Sequence, residues 1–171
     1  MSDYIHIPSS DFPSDILKWM KIKANPKMLL KLMKCCKYFQ HFPEFPFFVV
    51  KEAFYDGDPR PSSFTTLNDE MYLMEEEYIK NNDKKIWVTN DFGIYDPKLV
   101  FSTILPKYAV FDIRFLVLYH QKLSFEELKI LTASGTIEKM NFEDTIFKSE
   151  NGKQVFIDSI LECVPNLASL R

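Results

Sequence analysis

The sequence IRFLVL, residues 113–118, is a short apolar run interrupted only by Arg114. Its length and its branched side chains favour a buried β-strand. Similar segments recur along the second half of the chain, so that Leu116 and Leu118 align with Met140 and Phe142. The segments that share this pattern are Ile86–Val88, Ile113–Leu118, Ile137–Phe142 and Leu167–Leu170, at offsets of 30, 24 and 30 residues.

Each interval between these segments contains a helix signal. Asp96-Pro97 begins a run that ends near Leu105, and Val155–Cys163 has apolar residues at helical spacing. Ser124 and Glu127 fit a capping box, in which each side chain caps the other residue's backbone N–H at the start of a helix. A strand and a helix repeated in one direction predict an α/β fold with a parallel sheet.

This alternation resembles leucine-rich repeats, whose strand core reads Leu-x-x-Leu-x-Leu and whose period is about 20 to 29 residues. The sequence Pro165-Asn166-Leu167 resembles the start of many repeat strands. The resemblance implies an irregular solenoid over residues 83–171, with parallel strands on a concave face and helices outside. It also implies that the concave face binds a protein client. The residues that we expect to contact the client are Trp87, Arg114, Lys139 and Asn141.

An ordinary α/β domain with the same alternation is the alternative to a solenoid. The irregular offsets, and the absence of the asparagine that usually follows a repeat strand, both indicate divergence from the repeat family. A solenoid also needs a cap over its last apolar face. Because Leu170-Arg171 falls within an expected strand and is followed by no cap, we expect a fragment, a shortened product or a protein that pairs at this end.

The sequence FPSDILKWMKIKANPKMLLKLMKCCKYF, residues 12–39, contains two helix signals in succession. Pro13 suits the first position of a helix, where its missing N–H would have no partner in any case. Asn25-Pro26 supplies an N-cap side chain followed by a proline at a second helix start. The apolar residues of that second helix form one stripe: Leu29, Leu32, Met33 and Cys36. Two short helices bury too little surface to be stable alone.

These two helices resemble an F-box. The resemblance rests on FPSDIL at residues 12–17, on Asn25-Pro26, and on Cys35-Cys36-Lys37 before Phe39. It implies docking on the Skp subunit of a Skp-cullin ubiquitin ligase, through Phe12, Pro13, Ile16, Leu17, Leu29, Leu32, Cys36 and Phe39. The alternative is a helical pair that packs as a cap on the chain's own C-terminal domain. An F-box-like start followed by divergent leucine-rich repeats is similar to the divergent F-box proteins expanded in nematodes.

The middle of the chain links these two regions. Phe47–Tyr55 is rich in β-branched and aromatic residues and is bounded by Asp56-Gly57, which predicts a strand and a turn. We expect an exposed loop over Asp58–Thr66, and over Asn68–Ile79 either a helix or an acidic loop. The expected organisation is an F-box-like helical module at 1–45, a strand with an acidic linker at 46–82, and strand-helix repeats at 83–171.

The sequence contains no recognisable catalytic or metal-binding motif. Its four glycines are widely separated, so there is no glycine-rich loop to hold a phosphate. His6, His41 and His120 do not share metal-ligand spacing with the cysteines. No serine lies in a nucleophile elbow. We therefore predict a protein that is not an enzyme and that holds no cofactor or metal.

Charge and cysteine usage narrow the class of partner and the compartment. The net charge is −3, and two of the three cysteines are adjacent, which indicates a reducing compartment. No apolar run reaches the roughly 18 residues that a membrane helix needs. The lysines of residues 18–37 lack the arginine and interleaved aromatic residues typical of nucleic-acid binding. The sequence predicts a cytoplasmic or nuclear adaptor without a membrane partner. The alternative is a repeat-type interaction module with no ubiquitin ligase link.

Overall fold

The computed structural model describes residues 13–24, 28, 31–32, 35, 47–57, 62–66, 71–74 and 84–171. The chain forms two compact units, Met1–Pro46 and Phe47–Arg171. The first unit contains helix α1, Ser14–Lys23, which begins one residue after the predicted start at Pro13, because Pro13 is the N-cap and has ψ 142°. The carbonyl of Pro13 accepts hydrogen bonds from the backbone N–H groups of Ile16 and Leu17. Helix α1 ends where Ala24 turns to an extended conformation.

The second helix predicted for the first unit is described at four positions. Met28, Lys31, Leu32 and Cys35 have helical backbone conformations. Its predicted start at Asn25-Pro26 lies outside the described residues.

The second unit alternates strands with short helices. In chain order its strands are β1 Phe47–Tyr55, β2 Ser62–Thr66, β3 Met71–Met74, β4 Lys85–Ile94, β5 Tyr108–Phe111, β6 Phe115–Tyr119, β7 Lys122–Ser124, β8 Lys139–Glu143, β9 Ile146–Lys148 and β10 Ser169–Leu170. Its α-helices are α2 Phe101–Ile104, α3 Phe125–Thr132 and α4 Ile157–Glu162, and a 3₁₀ turn, Leu105–Lys107, follows α2.

Most of these strands form one sheet whose main part is parallel. The strand order is β10-β8-β6-β4-β1-β2-β3, and β5 pairs with the first half of β4. Strands β1, β4, β6, β8 and β10 run parallel to one another, whereas β2 and β3 add an antiparallel edge beside β1. Strands β7 and β9 form a separate parallel pair. The α/β class and the parallel sheet are therefore confirmed.

The register of the parallel strands differs from the predicted one at its first step. Leu116 lies beside Met140, as predicted, but its partner on β4 is Phe92 and not Ile86. The reason is that the ten-residue strand β4 pairs with two strands in turn along one edge. Its first half pairs with β5 and its second half with β6. The first offset is consequently 24 residues, the same as the second.

Several local predictions are confirmed. Strand β1 has the predicted bounds, Phe47–Tyr55. The capping box is formed, because the Ser124 hydroxyl accepts from the Glu127 N–H at 3.2 Å and the Glu127 carboxylate accepts from the Ser124 N–H at 2.7 Å. Leu123 and Leu128, on either side of this cap, are both buried.

Two predictions for the middle of the chain are wrong. Residues Ser62–Thr66 were expected in a loop but form β2, and Met71–Met74 were expected in a helix or acidic loop but form β3. Pairing with β1 explains the first difference, because it buries Phe64 edge-on against Tyr55 at 5.9 Å. Strand β3 then pairs with β2. Tertiary pairing of this kind overrides the local helix preference of a short segment.

Two helices begin later than predicted. Helix α2 begins at Phe101 and not at Asp96, because the Asp96 carboxylate accepts from the Lys98 N–H at 2.8 Å and holds a turn there. Helix α4 begins at Ile157, two residues after the predicted start.

The core of the second unit lies between the sheet and its helices. Alternate strand residues such as Phe92, Leu116 and Met140 face side chains from α2, α3 and α4. Phe92 is fully buried and packs edge-on against four aromatic rings, with centroids 5.2 to 6.1 Å away: Tyr55, Phe101, Tyr108 and Phe111. The hydroxyls of Tyr55 and Tyr108 share a hydrogen bond of 2.8 Å in this core.

The turns after the parallel strands are alike. His120 and Asp144 follow β6 and β8 at equivalent positions, and both have positive φ, 55° and 47°. One residue further on, the buried Gln121 amide donates to the carbonyls of Asp96 and Tyr119. Thr145, the equivalent residue, donates to the carbonyl of Leu118. The Gln121 side chain therefore bonds the backbone of the preceding turn and of β6. The Thr145 side chain bonds the backbone of the preceding strand, β6.

Candidate functional site

The sheet of the second unit has a polar row on the face opposite its core. The register places Glu52, Asp91, Phe115, Lys139 and Ser169 side by side on β1, β4, β6, β8 and β10. Because side chains alternate across a strand, these residues point away from the core that Phe92 and Leu116 fill. Both signs of charge and one aromatic ring therefore meet on a single sheet face.

An aromatic strip lies beside this row. It consists of Phe54, Tyr95 and Tyr119, with the Phe54 and Tyr95 centroids 6.1 Å apart and the Tyr95 and Tyr119 centroids 4.9 Å apart. The Phe54 ring lies over Gly93, where an added Cβ would come within 2.7 Å of the Phe54 ring carbon Cδ1. The Tyr119 hydroxyl accepts from the Asn141 amide at 3.1 Å. Glycine at position 93 thus lets an aromatic ring rest on the sheet.

A groove of about 460 Å³ opens where β4, β6, β8 and β10 run side by side. Its walls carry side chains that can form hydrogen bonds or ion pairs, with Phe115 between them. Its charged lining residues are Asp91, Arg114, Glu138, Lys139 and Arg171. The Arg171 N–H donates to the Met140 carbonyl at 3.1 Å, which keeps Arg171 beside β8. The groove offers donors, acceptors and both signs of charge to a ligand lying across the strands.

The charged residues of the groove differ in their surroundings. Burial raises the pKa of the Asp91 carboxyl, the neighbouring Glu52 raises it further, and Lys51 and Lys139 oppose the rise. The Asp91 carboxylate also accepts from the Asn90 amide at 2.9 Å. By contrast, Arg114 and Glu138 form a solvent-exposed ion pair at 3.8 Å. Burial thus disfavours the ionised form of Asp91, and Lys51 and Lys139 are the compensating charges.

Replacement of Asp91 tests this electrostatic interpretation. Because the folded protein raises the pKa of Asp91, the folded state binds the proton more tightly, and ionisation of Asp91 weakens folding as the pH rises. Asp91→Asn is expected to be at least as stable as the wild type at pH 7. Its advantage should disappear as the pH falls below 3.8, the ordinary pKa of the group. Urea unfolding at a series of pH values measures this.

Glu143→Gln is the matched control for that experiment, because Glu143 is exposed on β8. Its effect on the free energy of unfolding should stay within about 0.5 kcal/mol, as for most surface substitutions. A lower stability of Asp91→Asn than of wild type at pH 7 would contradict the assigned cause of the pKa shift.

Three of the four residues predicted to contact a client lie together. Arg114, Lys139 and Asn141 all line the groove. Trp87 does not line the groove, and it is 3% exposed. It lies in the first half of β4, between Val49 of β1 and Val110 of β5. The predicted offset of 30 residues put Trp87 beside Val117 of β6, where the structure has Gly93.

The residues predicted to bind a Skp subunit are described only in part. Pro13 and Ile16 are exposed, Leu32 is partly exposed, and Leu17 is 5% exposed. The side chains of Phe12, Leu29, Cys36 and Phe39 lie outside the described residues. The first unit also has an apolar pocket of about 300 Å³, lined by Trp19, Met20, Lys23, Ala24, Met28 and Leu32.

Sequence reasoning missed Asp91, Phe115 and Arg171 in the groove, and the whole aromatic strip. The available signal was alternation with a period of two along each strand, which marks every second residue as outward-facing. Asp91 and Gly93 alternate in this way with Phe92 and Ile94. This signal does not reach Asp91, because the sequence predicts only Ile86–Val88 as a strand there.

Comparison with known proteins gives no match to this chain, whether with family models, curated proteins or solved structures. Among the described residues, no group of three His, Cys, Asp or Glu side chains could hold a metal ion. No helix in the described part of the chain is long and apolar enough to cross a bilayer.

Proposed function

We propose that the chain is a non-catalytic substrate receptor of a Skp-cullin ubiquitin ligase. In this proposal the first unit docks on the Skp subunit, and the groove of the second unit holds a protein client. The observation that carries it is the presence of two separate compact units, each with its own ligand-sized surface. The F-box-like sequence over residues 12–39 supplies the identity of the first partner.

Exposed apolar side chains on α1 support the docking half of the proposal. Ile16 and Trp19 are 45% and 62% exposed, and Trp19 borders the apolar pocket of the first unit. Large apolar side chains clustered on a surface are typical of protein-binding sites. Leu17 is better assigned to the interior of the unit, because it is buried.

Recurring geometry supports a leucine-rich-repeat-like interpretation of the second unit. Partner residues on β4, β6 and β8 are 24 residues apart, a repeat length within the family's usual period. The turns at His120 and Asp144 share a positive φ, and Gln121 and Thr145 both bond backbone of the previous strand or turn. A strand, turn and helix stacked on the next copy is the arrangement by which such repeats form binding faces.

The mechanism of such a receptor is proximity. A chain that binds a ligase subunit with one unit and a client with the other raises the effective concentration of the client's lysines at the ligase. No residue of this chain needs to make or break a covalent bond.

The docking half is tested by co-purification with a Skp subunit. Ile16→Asp places a charge on exposed apolar surface, so the variant should stay folded and should reduce the co-purified Skp subunit roughly tenfold, as expected for an interface hot spot. Val100→Asp is the matched control, because Val100 is 56% exposed and lies in the second unit. Circular dichroism checks the fold of each variant. Absence of the Skp subunit from the wild-type preparation would refute the docking half.

A second candidate is a repeat-type interaction protein without a ligase link. The burial of Leu17 favours it, because docking on a Skp subunit through Leu17 would need this side chain on an open apolar surface. In that case wild type and Ile16→Asp both fail to retain a Skp subunit, while groove substitutions still change client binding.

A further inference from the structure

The charges of the groove are separated along the row that crosses the strands. Asp91 of β4 lines one end of the groove and has Glu52 of β1 beside it, outside the groove lining, whereas Lys139 of β8 and Arg171, which follows β10, line the other end. Phe115 occupies the position between Asp91 and Lys139. Arg114 and Glu138 also line the groove and pair with each other at 3.8 Å. Apart from this ion pair, the groove has an acidic end at Asp91, a basic end at Lys139 and Arg171, and Phe115 between them.

The spacing between these two ends matches a short extended peptide. Adjacent strands lie about 4.8 Å apart, so three steps from β4 to β10 span roughly 14 Å. An extended chain rises about 3.3 Å per residue, so roughly four residues cover that distance. A ligand running along a single strand would meet the charge of one end only.

The acidic end gains most from a bound cation. Glu52 and Asp91 are like charges on adjacent strands, an arrangement that destabilises a sheet. Each has one hydrogen-bond donor nearby, Thr65 for Glu52 at 2.9 Å and Asn90 for Asp91 at 2.9 Å. Lys51 and Lys139 partly offset the charge of Asp91, and Lys139 is the one that a ligand carboxylate would engage at the basic end. A ligand with both charges would therefore satisfy both ends together.

We propose that the groove binds an extended segment of the client across the strands, with a basic side chain at Glu52 and Asp91 and an acidic side chain about four residues away at Lys139 and Arg171. The inference rests on the proposed function in naming a protein client. A polyanion such as a nucleic acid fits less well, because the acidic end repels it. A uniformly basic or uniformly acidic segment would use only half of the groove.

Four synthetic fluorescent peptides, with both termini blocked, test the proposal against the full chain by fluorescence anisotropy. The first has lysine and glutamate four residues apart with tyrosine between them. The second and third replace the lysine or the glutamate by alanine, and the fourth places the two charges next to each other. The first peptide should bind roughly tenfold more tightly than each of the others, a difference typical of complementary charge pairs.

Variants of the groove then assign each charge to its end. Asp91→Asn should remove the advantage conferred by the peptide's lysine but keep that of its glutamate, and Lys139→Gln should do the reverse. This cycle isolates each pairwise coupling from general effects of the substitution. Lys122→Gln is the matched control, because Lys122 is exposed on β7, outside the main sheet, and should change neither coupling.

Each outcome decides the inference. Equal binding of all four peptides, binding of none of them, or couplings that Asp91→Asn and Lys139→Gln leave unchanged would overturn it. Co-purification of a Skp subunit with the same preparations separates this failure from a failure of the proposed function. If the Skp subunit is retained but the peptides are not discriminated, the charge pattern alone is refuted; if the peptides are discriminated but no Skp subunit is retained, the ligase role is refuted.

Discussion

Phe92→Ala is expected to lower the free energy of unfolding of the second unit by about 3–5 kcal/mol, the range for a buried phenylalanine replaced by alanine. Phe92 is fully buried at the point where four aromatic rings converge. Removal of its ring leaves a cavity that rigid edge-on neighbours cannot fill without leaving their own contacts. Urea unfolding, followed by the fluorescence of Trp87 in a Trp19→Phe background, measures the change in this unit.

Phe156→Ala is the matched control, because the Phe156 side chain is 80% exposed. Its effect should stay within about 0.5 kcal/mol, as for most surface substitutions. A loss of less than about 1 kcal/mol for Phe92→Ala would contradict the assignment of Phe92 to the centre of the core.

Gln121→Ala is expected to cost about 1–3 kcal/mol, the penalty for leaving buried polar groups without their hydrogen bonds. The Gln121 side chain is 2% exposed, and its amide donates to two carbonyls, those of Asp96 at 2.9 Å and Tyr119 at 3.0 Å. Alanine removes both donors and leaves two carbonyls in a place that water reaches poorly. The same unfolding experiment measures this loss.

Gln154→Ala provides the comparison, because Gln154 is exposed beside the β9 edge. If Gln121→Ala were no more destabilising than Gln154→Ala, the hydrogen bonds that join successive turns would not stabilise the stack. The leucine-rich-repeat-like interpretation would then lose its main energetic support.

The elements predicted correctly from the sequence are those in which the spacing of apolar and polar residues within a short segment shows which side chains are buried. Strands β1 and β6 appear as short runs of branched and aromatic residues. Strand β8 appears as Met140 and Phe142 alternating with polar residues, and the Ser124 cap as a spacing of polar residues. Each depends on interactions within a few residues of chain or on simple burial. Such signals survive folding because tertiary contacts reinforce them.

The elements that were missed depend on pairing between distant segments. Strands β2 and β3 exist because β1 offers them an edge, and their own residues do not favour a strand strongly enough to reveal it. The length of β4 was missed for a related reason, since polar residues Thr89 to Asp91 interrupt its apolar pattern. These polar residues are tolerated because that stretch of the strand borders the groove.

The candidate site could be predicted in part only. Arg114, Lys139 and Asn141 were found because β6 and β8 were aligned correctly, whereas Trp87 was misplaced because β4 was aligned six residues out of register. A row of side chains across a sheet can be predicted only when the register of every strand is known. Asp91 and Phe115 therefore became visible as neighbours only in the folded structure.

The two-surface account predicts that mutations separate into two classes. Substitutions at Ile16 or Trp19 should affect the ligase partner and leave client binding unchanged, whereas substitutions at Asp91 or Lys139 should do the opposite. We expect two classes because Ile16 and Trp19 lie in the first compact unit, whereas Asp91 and Lys139 lie in the second.

Site-specific photo-cross-linking in cell lysate tests the central claim most directly. A photoreactive phenylalanine analogue would replace Trp19, Phe115 or the exposed Phe156, one position at a time, and mass spectrometry would identify the captured proteins. The account predicts a Skp subunit cross-linked at position 19, a different protein at position 115, and neither at position 156. Failure to capture a Skp subunit at position 19, or its capture at position 115, would contradict the account.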